Sequence, residues 1–319
     1  MFQDPHPLLA AIPRSPHRRH ERDRFFKYVT PTTGVAIVQT RRRRWSSPLL
    51  FNDPFDVPRS ATFGFTDDEL LAGISAEFVR VVESDEMPDD ASVRELVLRL
   101  RQEANPHLTA FVASTLQDAG GPMAPVVRRT QAEFRRNWEE TLPGLRVFCV
   151  SEIADSVLMW AHYASTHCGF VLQFGVSDEL DSSLLLAEPV IYRPEPPSLP
   201  PVHEWSRIAS VADRVDWQQV FREYYYVKSP DWAYEREWRV VTFSPDSEPT
   251  NYTDTGFHPL ELQGVYVGAA SRPEDVSAME QLLAHQDFAH VEMWRARHDH
   301  ESRQIVFDPS RPAPSNATL

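Results

Sequence analysis

Residues 235–243 read Glu-Arg-Glu-Trp-Arg-Val-Val-Thr-Phe, and their aromatic and β-branched content predicts a strand over 236–243. Because side chains alternate across a strand, Glu235, Glu237 and Arg239 are expected on one face. Two carboxylates on one face suit the stabilisation of a developing cation and hydrogen bonding to a sugar hydroxyl, so Glu237 and Glu235 are candidate catalytic residues. The alternative is a solvated strand face on which the carboxylates pair with Arg239.

Further strand patterns occur on both sides of this run. They are residues 25–30, a short segment that includes Trp45, and residues 146–150, 169–174, 189–192, 262–267, 290–295 and 303–307. Helical patterns separate several of these segments, so the chain is expected to form an α+β fold.

A long segment before residue 145 has a different character. Residues 66–141 carry apolar residues at helical spacing, and Thr66 with Glu69 has the spacing of a capping box. Asn105 followed by Pro106 is typical of another helix start. The sequence therefore predicts a helical insertion over 66–141.

The two ends of the chain are rich in proline and polar residues. Residues 1–22 are expected to form a flexible arm, and residues 309–319 a flexible tail. The residues between them, 23–308, are expected to fold as a single α+β domain that includes the helical insertion.

The composition limits the class of protein. The chain has 319 residues, of which 42% are hydrophobic and 11% aromatic, enough for a packed core. Its net charge of −14 disfavours broad binding to nucleic-acid phosphates, and Cys149 and Cys168 lack disulfide-framework or zinc spacing. No apolar run is long enough to cross a membrane, so a cytoplasmic protein without a membrane partner is expected. The absence of Rossmann, P-loop, zincin and serine-hydrolase motifs disfavours those enzyme classes.

A second group of candidate residues lies on a predicted helix. Trp160, His162 and Tyr163 occur there, and His167 follows about one turn further on. Such an aromatic surface can stack against a nucleotide ring, which predicts a cofactor-binding role for the first three. The alternative is that Trp160 belongs to the core and His162 makes only structural hydrogen bonds.

Candidate binding residues also occur near the start of the chain. Lys27 and Tyr28 lie in the first strand pattern, Ser46 in the second, and Asn52 in a turn rich in Asn, Asp and Pro. The alternative is that this turn is purely structural. The run Arg41–Arg44 could contact phosphates, although a run of charges is more often a solvated face.

Several motifs in combination resemble a known family. They are Phe51–Asp56, Phe148–Ser151, Met159–Ala164, Gly169-Phe170, Lys228, Trp232, Tyr234-Glu235 and Glu237–Arg239. Together they are similar to the bacterial domain-of-unknown-function family 2971, from about residue 25 to residue 270. The name of that family carries no activity.

The order of the elements also resembles the plan of the ADP-ribosyltransferase superfamily, in which a late strand bears a Glu-x-Glu motif. The resemblance implies a mixed or antiparallel sheet core. It implies that Glu237 assists the departure of nicotinamide from NAD, with Glu235 as the other glutamate of the motif. The residues expected to bind NAD are Lys27, Tyr28, Ser46, Asn52, Trp160, His162, Tyr163 and Arg239.

The expected function is therefore that of an NAD-dependent ADP-ribosyltransferase, of the kind found among bacterial toxins and phage-defence effectors. Such an enzyme cleaves the nicotinamide–ribose bond of NAD, its substrate, and transfers ADP-ribose to a macromolecular acceptor, either protein or nucleic acid. No metal is expected. The alternative is a non-catalytic module that binds a nucleotide or a partner. A nucleic-acid processing enzyme is a third interpretation, for which the sequence shows no recognisable metal–carboxylate cluster.

Overall fold

The computed structural model describes residues 15–197, 199–211, 217–244 and 250–311. Its strands, in chain order, are β1 (Arg24–Val29), β2 (Arg42–Ser46), β3 (Leu145–Ser151), β4 (Phe170–Gly175), β5 (Glu188–Pro189), β6 (Ile191–Tyr192), β7 (Val227–Lys228), β8 (Glu237–Phe243), β9 (Tyr252–Gly256), β10 (Leu262–Val267), β11 (Glu292–Asp299) and β12 (Gln304–Arg311). Its helices are α1 (Pro31–Thr40), α2 (Asp67–Glu83), α3 (Ala91–Glu103), α4 (Pro106–Gln117), α5 (Met123–Thr141), α6 (Val157–Tyr163), α7 (Val202–Val211), α8 (Trp217–Tyr226) and α9 (Pro273–Leu283). The expected α+β class is confirmed.

The chain divides into two compact units. The first consists of the described parts of Met1–Asp56, Pro143–Pro194 and Lys228–Leu319, and the second of those of Val57–Leu142 and Glu195–Val227. The first unit holds the large sheet, and the second holds α2 to α5 together with α7 and α8. The second unit thus contains a later segment of the chain in addition to the helical insertion expected from the sequence.

One mixed sheet forms the framework of the first unit. Along its main path the strands follow the order β12-β11-β10-β4-β1-β3-β2-β9, and β8 pairs with both β3 and β5. The β10–β11 pair is parallel, whereas β1, β3, β4 and β8 pair antiparallel. The expectation was a mixed or antiparallel sheet, and the sheet is mixed.

The central strands are buried on both faces. Every residue of β4 is buried, which accounts for a sequence that is apolar except for Gln173. On one face Phe25 and Phe148 belong to the larger apolar core, and on the other Phe26 and Tyr28 pack in a separate cluster with Trp160. The candidate site described below lies on this second face.

The sheet is split beside the middle of β3. On the edge of β3 opposite to β8, Phe26 of β1 pairs with Ser151 and Ser46 of β2 pairs with Val147. Each of these strands meets β3 at that one position, whereas β8 pairs along the whole of β3. Between the two pairs, the Lys27 amino group donates to the carbonyl oxygen of Cys149 at 2.7 Å. A side chain therefore supplies a hydrogen bond where the ladder is interrupted.

In the second unit, helices occupy the expected insertion, and their predicted starts are confirmed. Thr66 and Glu69 make both hydrogen bonds of a capping box at the start of α2. Asn105 caps α4, whose first residue is Pro106. A buried cluster of this unit contains Phe78, Val81, Val97 and Leu100.

The strand expected over 236–243 begins at Glu237. The preceding residues, Pro230–Glu235, form a 3₁₀ helix that ends at Arg236, which has a left-handed backbone conformation. The expectation that Glu235 and Glu237 belong to one strand is therefore wrong, because Glu235 belongs to the helical turn.

Only parts of the expected arm and tail lie within the described residues. Residues 1–14 of the arm and 312–319 of the tail lie outside them. Within residues 15–22, the Arg18 guanidinium pairs with Asp178 at 2.5 Å, and His20 lies 2.8 Å from the carbonyl oxygen of Leu184. At the other end, β12 continues to Arg311.

Candidate functional site

A pocket of about 420 Å³ lies over the split in the sheet, within the first unit. This volume falls in the range of small-molecule sites. Of the ten residues expected at the site, eight line the pocket: Lys27, Tyr28, Ser46, Asn52, His162, Tyr163, Glu235 and Glu237. Trp160 and Arg239 are each 0% exposed and are not among the lining residues, so the structure does not bring them to the pocket surface.

Strand β3 supplies much of the pocket floor. Because side chains alternate along a strand, Val147, Cys149 and Ser151 face the pocket, while Phe148 packs into the core on the opposite face. The register between β3 and β8 pairs Ser151 with Glu237, which brings the first residue of β8 to the same floor.

Beside this floor lies a buried cluster of charged side chains, formed by Asp56, Lys228, Glu235, Glu237 and Arg239. Arg239 donates to Asp56 through Nη1 at 2.8 Å and Nη2 at 2.6 Å, and to Glu237 through Nε and Nη2, both at 2.8 Å. The Lys228 amino group lies 2.6 Å from Glu235 and 3.2 Å from Glu237. It also lies 3.3 Å from Asp56. With three carboxylates and two cations, the ionised cluster has a net charge of −1.

The backbone at Arg236 lets both glutamates reach the cluster. Arg236 has φ 43°, a conformation that costs a non-glycine residue about 1–2 kcal/mol. Its own side chain is exposed, with the guanidinium 3.6 Å from Glu152. Glu235 is only 3% exposed and Glu237 only 6%, so these carboxylates do not lie on a solvated face. The pairing with Arg239 that belonged to the same alternative is present for Glu237.

A chain of hydrogen bonds connects the loop after β2 to Glu235. The Tyr163 hydroxyl donates to Glu235 Oε1 at 2.5 Å and accepts from Asn52 Nδ2 at 3.3 Å. His162 is exposed, and its Nδ1 lies 2.9 Å from the hydroxyl of Tyr234. Helix α6 thus presents one side chain to the buried carboxyl and one to the surface.

The surroundings move the proton affinities of the two glutamates in opposite directions. Burial and the neighbouring charge of Glu237 raise the pKa of Glu235 above its ordinary value. Burial also opposes the ionisation of Glu237, but Arg239 and Lys228 outweigh it and hold the pKa of Glu237 well below its usual range. Burial disfavours the charged form of Lys228 as well, yet Glu237 and Asp56 raise its pKa. Two carboxyl groups made different in this way can take different chemical roles.

Trp160 anchors helix α6 beside the pocket. Its indole N–H donates to the carbonyl oxygen of Ala154 at 2.7 Å. The ring meets Tyr28 edge-on at 5.7 Å and stacks on His167 at 6.3 Å. The burial of Trp160 agrees with the alternative that it is a core residue.

Asp56 and Lys228 are charged residues of the site that are not among the candidate residues predicted from the sequence. Asp56 and Lys228 lie within the motifs that resemble family 2971, but nothing local in the sequence indicates that they meet Arg239 and the two glutamates. Arg44 belongs to the run Arg41–Arg44, for which phosphate contact was one interpretation, and it lines the pocket. Its guanidinium lies 3.7 Å from the ring centre of Tyr252, and its Nε donates to Asp254 at 2.9 Å.

In residues 15–197, 199–211, 217–244 and 250–311, no group of three or more His, Cys, Asp or Glu side chains is arranged to hold a metal ion. Among the helices of those same residues, none has both the length and the apolar composition that a bilayer span requires.

Residues 159–240 match the model of a family described as a protein of unknown function, DUF2971. The matched segment begins in α6 and ends in β8, so it contains Tyr163, Lys228 and both glutamates, whereas β1, β3 and Asp56 precede it. The match supports the resemblance to family 2971, and nothing in it supports a resemblance to the ADP-ribosyltransferases. No curated protein and no solved structure matches the chain.

Proposed function

We propose that the pocket binds NAD and cleaves the bond between its nicotinamide ring and its ribose, and that the ADP-ribose is transferred to a macromolecular acceptor. One observation carries this proposal. Glu235 and Glu237 lie together at a ligand-sized pocket, and their pKa values are moved in opposite directions. Enzymes that break glycosidic bonds use two carboxyl groups that differ in this way.

The charge of the cluster suits the proposed reaction. The nicotinamide ring of NAD is a cation, and positive charge develops on the ribose as the glycosidic bond breaks with its electron pair going to the ring. The ionised cluster of three carboxylates and two cations has a net charge of −1. A fixed negative charge in a buried site stabilises such an oxocarbenium-like ribose.

The rest of the pocket lining suits the other parts of NAD. Aromatic rings of Phe26, Phe51 and Tyr163 line it, and a planar nicotinamide ring can pack against such surfaces. Lys27 and Arg44 contribute positive charge to the same pocket. Within the described residues the Lys27 amino group bonds a backbone carbonyl and forms no ion pair, so donors remain for a phosphate oxygen.

The proposal is tested with labelled NAD, wild-type protein and a cell lysate as the source of acceptor. Nicotinamide release and label transfer are measured for the wild type, for Ser46→Phe and for Arg42→Phe. Ser46 lines the pocket, whereas Arg42 lies on the same face of β2 but is exposed and outside the lining. We expect Ser46→Phe to abolish nicotinamide release by filling the pocket, and Arg42→Phe to retain it. Melting curves establish that both variants are folded.

Two results would contradict the proposal. A folded wild type that releases no nicotinamide with any lysate fraction would exclude the reaction, and equal release by Ser46→Phe and the wild type would exclude this pocket. NAD binding without release, measured by calorimetry, would instead favour the alternative of a non-catalytic nucleotide-binding module. The dense hydrogen bonding of Glu237 by Arg239 and Lys228 is the observation that favours that alternative.

A further inference from the structure

Glu237 has fewer hydrogen-bonding positions left for a substrate than Glu235 has. An ionised carboxylate offers about four lone-pair directions to donors. Its Oε1 accepts from Arg239 Nε at 2.8 Å, and its Oε2 accepts from Arg239 Nη2 at 2.8 Å and from Lys228 Nζ at 3.2 Å. The thiol of Cys149 also interacts with this carboxylate and helps to lower the pKa of Glu237. These three hydrogen bonds leave about one lone-pair direction for a substrate hydroxyl.

Glu235 has fewer donors around it. Its Oε1 accepts from the Tyr163 hydroxyl at 2.5 Å, and its Oε2 accepts from Lys228 Nζ at 2.6 Å. Across the described part of the chain no other donor reaches this carboxyl, so about two of its lone-pair directions remain. Since Glu235 also lines the pocket, it can accept a hydrogen bond from a bound ligand.

From this difference we infer that Glu235 is the catalytic carboxylate that contacts the ribose of the substrate, and that Glu237 and Tyr163 are positioning residues that act through it. The inference rests on the proposed cleavage of NAD. The order of roles is the reverse of the one expected from the sequence, in which Glu237 assists the departure of nicotinamide.

The chemistry that this assigns to Glu235 has two stages. Ionised Glu235 accepts a hydrogen bond from a ribose hydroxyl while the bond from C1′ to the nicotinamide nitrogen breaks, and the electron pair of that bond goes to the ring. An oxygen or nitrogen of the acceptor then bonds C1′ and loses its proton, which Glu235 accepts. Both stages require the ionised form, so activity should rise as pH increases through the pKa of Glu235.

The contacts of Glu235 predict how this pH dependence changes. The charged and titratable groups around it are Asp56, Glu237, Arg239, Lys228, Tyr163, Tyr192 and Tyr234. The negative charge of Glu237 raises the pKa of Glu235, and the hydrogen bond from Tyr163 lowers it. Removing the charge of Glu237 should therefore move the acid side of the pH profile to lower pH. Removing the hydrogen bond from Tyr163 should move it to higher pH.

The test measures kcat and KM for nicotinamide release as a function of pH in Glu235→Gln, Glu237→Gln and Tyr163→Phe. Glu292→Gln, an exposed site on β11, is the matched control and should behave as the wild type. We expect Glu235→Gln to lose on the order of 100- to 1000-fold in kcat, because it removes the charge that the transition state needs. Glu237→Gln should retain more activity than Glu235→Gln, with its acid limb shifted to lower pH, and Tyr163→Phe should show the opposite shift.

Two results would overturn the assignment of the catalytic role to Glu235. Equal acid limbs in the wild type and in Tyr163→Phe would overturn the inference, as would a larger loss of kcat in Glu237→Gln than in Glu235→Gln at equal thermal stability. In either case the cleavage of NAD by the pocket would stand, because it depends on the wild type and on Ser46→Phe. If Glu237→Gln does not fold, the pH profile of Tyr163→Phe still tests the inference. Infrared titration of the Glu235 carboxyl without substrate measures the same pKa shift independently. A wild type that releases no nicotinamide would overturn both proposals.

Discussion

The pairing of Arg239 with Asp56 offers a stringent test of the charged cluster. Arg239 is fully buried, and its guanidinium makes two hydrogen bonds to Asp56 and two to Glu237. The perturbation is a double-mutant cycle of Arg239→Gln, Asp56→Asn and the double variant. Each substitution removes one charge and keeps a polar side chain of similar size.

The expected magnitudes follow from the charges that remain. A pair of unit charges about 4 Å apart interacts by about 4 kcal/mol in the effective dielectric of a protein, and desolvation offsets several kcal/mol of that gain. Arg239→Gln leaves three carboxylates facing Lys228 alone, and should lower the free energy of unfolding by about 3–5 kcal/mol. Asp56→Asn leaves two carboxylates and two cations, and should lower it by only about 1–3 kcal/mol. The double variant restores the original net charge of −1 and should cost less than the sum.

The assay is urea unfolding followed by circular dichroism near neutral pH, with the slope of the transition compared between variants. The control is the same cycle on Arg297 and Asp308, an exposed ion pair 3.3 Å apart, for which a coupling of about 0.2–1 kcal/mol is expected. The buried cycle should show a coupling above about 1 kcal/mol. Costs that add within about 0.5 kcal/mol, the limit for independent sites, would refute the idea that these charges act as one cluster.

Other predictions concern packing, backbone strain and pH. Trp160→Ala should lower the free energy of unfolding by about 3–5 kcal/mol, and an unchanged urea midpoint would show that the buried indole and its bond to Ala154 are misplaced. Arg236→Gly should melt higher than Arg236→Ala, because both lose the Glu152 contact but only glycine relieves a left-handed strain of about 1 kcal/mol; the reverse order would refute this. Because the pKa of Glu235 is raised, its contribution to stability is present below its ordinary value of 4.5 and is lost as pH rises through the folded pKa. As pH rises over this window, the melting temperature of Glu235→Gln should therefore increase relative to that of the wild type. A difference in melting temperature that does not change with pH would contradict the raised pKa of Glu235.

Local signals in the sequence predicted the local structure well. The capping box of Thr66 and Glu69 and the start of α4 at Pro106 are formed as expected, since these features depend on residues three or four positions apart. Lys27, Tyr28 and Tyr163 do line one pocket together with the two glutamates. Whether these residues bind NAD remains a prediction.

What the sequence could not provide depends on long-range contacts. Asp56 meets Arg239 across 183 positions of the chain, and neither residue's neighbours encode that pairing. The turn at Glu235 and Arg236 was also missed, because an aromatic and β-branched run predicts a strand and gives no sign of a left-handed residue before it. Glu235 and Glu237 differ in the hydrogen-bond donors around them, and these donors come from such long-range contacts. The different roles that we propose for the two residues could therefore be inferred only from the structure.

The split beside β3 has a consequence for how the molecule folds. β1 pairs with β4, and β2 pairs with β9, so that Arg42 lies opposite Gly256, which comes much later in the chain. Contacts of such sequence separation are entropically costly to form and typically make folding slow. The matched segment 159–240 carries both glutamates but neither β1 nor β3, and cannot assemble the pocket floor by itself. Because the pocket lining extends from Phe26 in β1 to Glu237 in β8, the pocket can be completed during synthesis only after β8 has emerged.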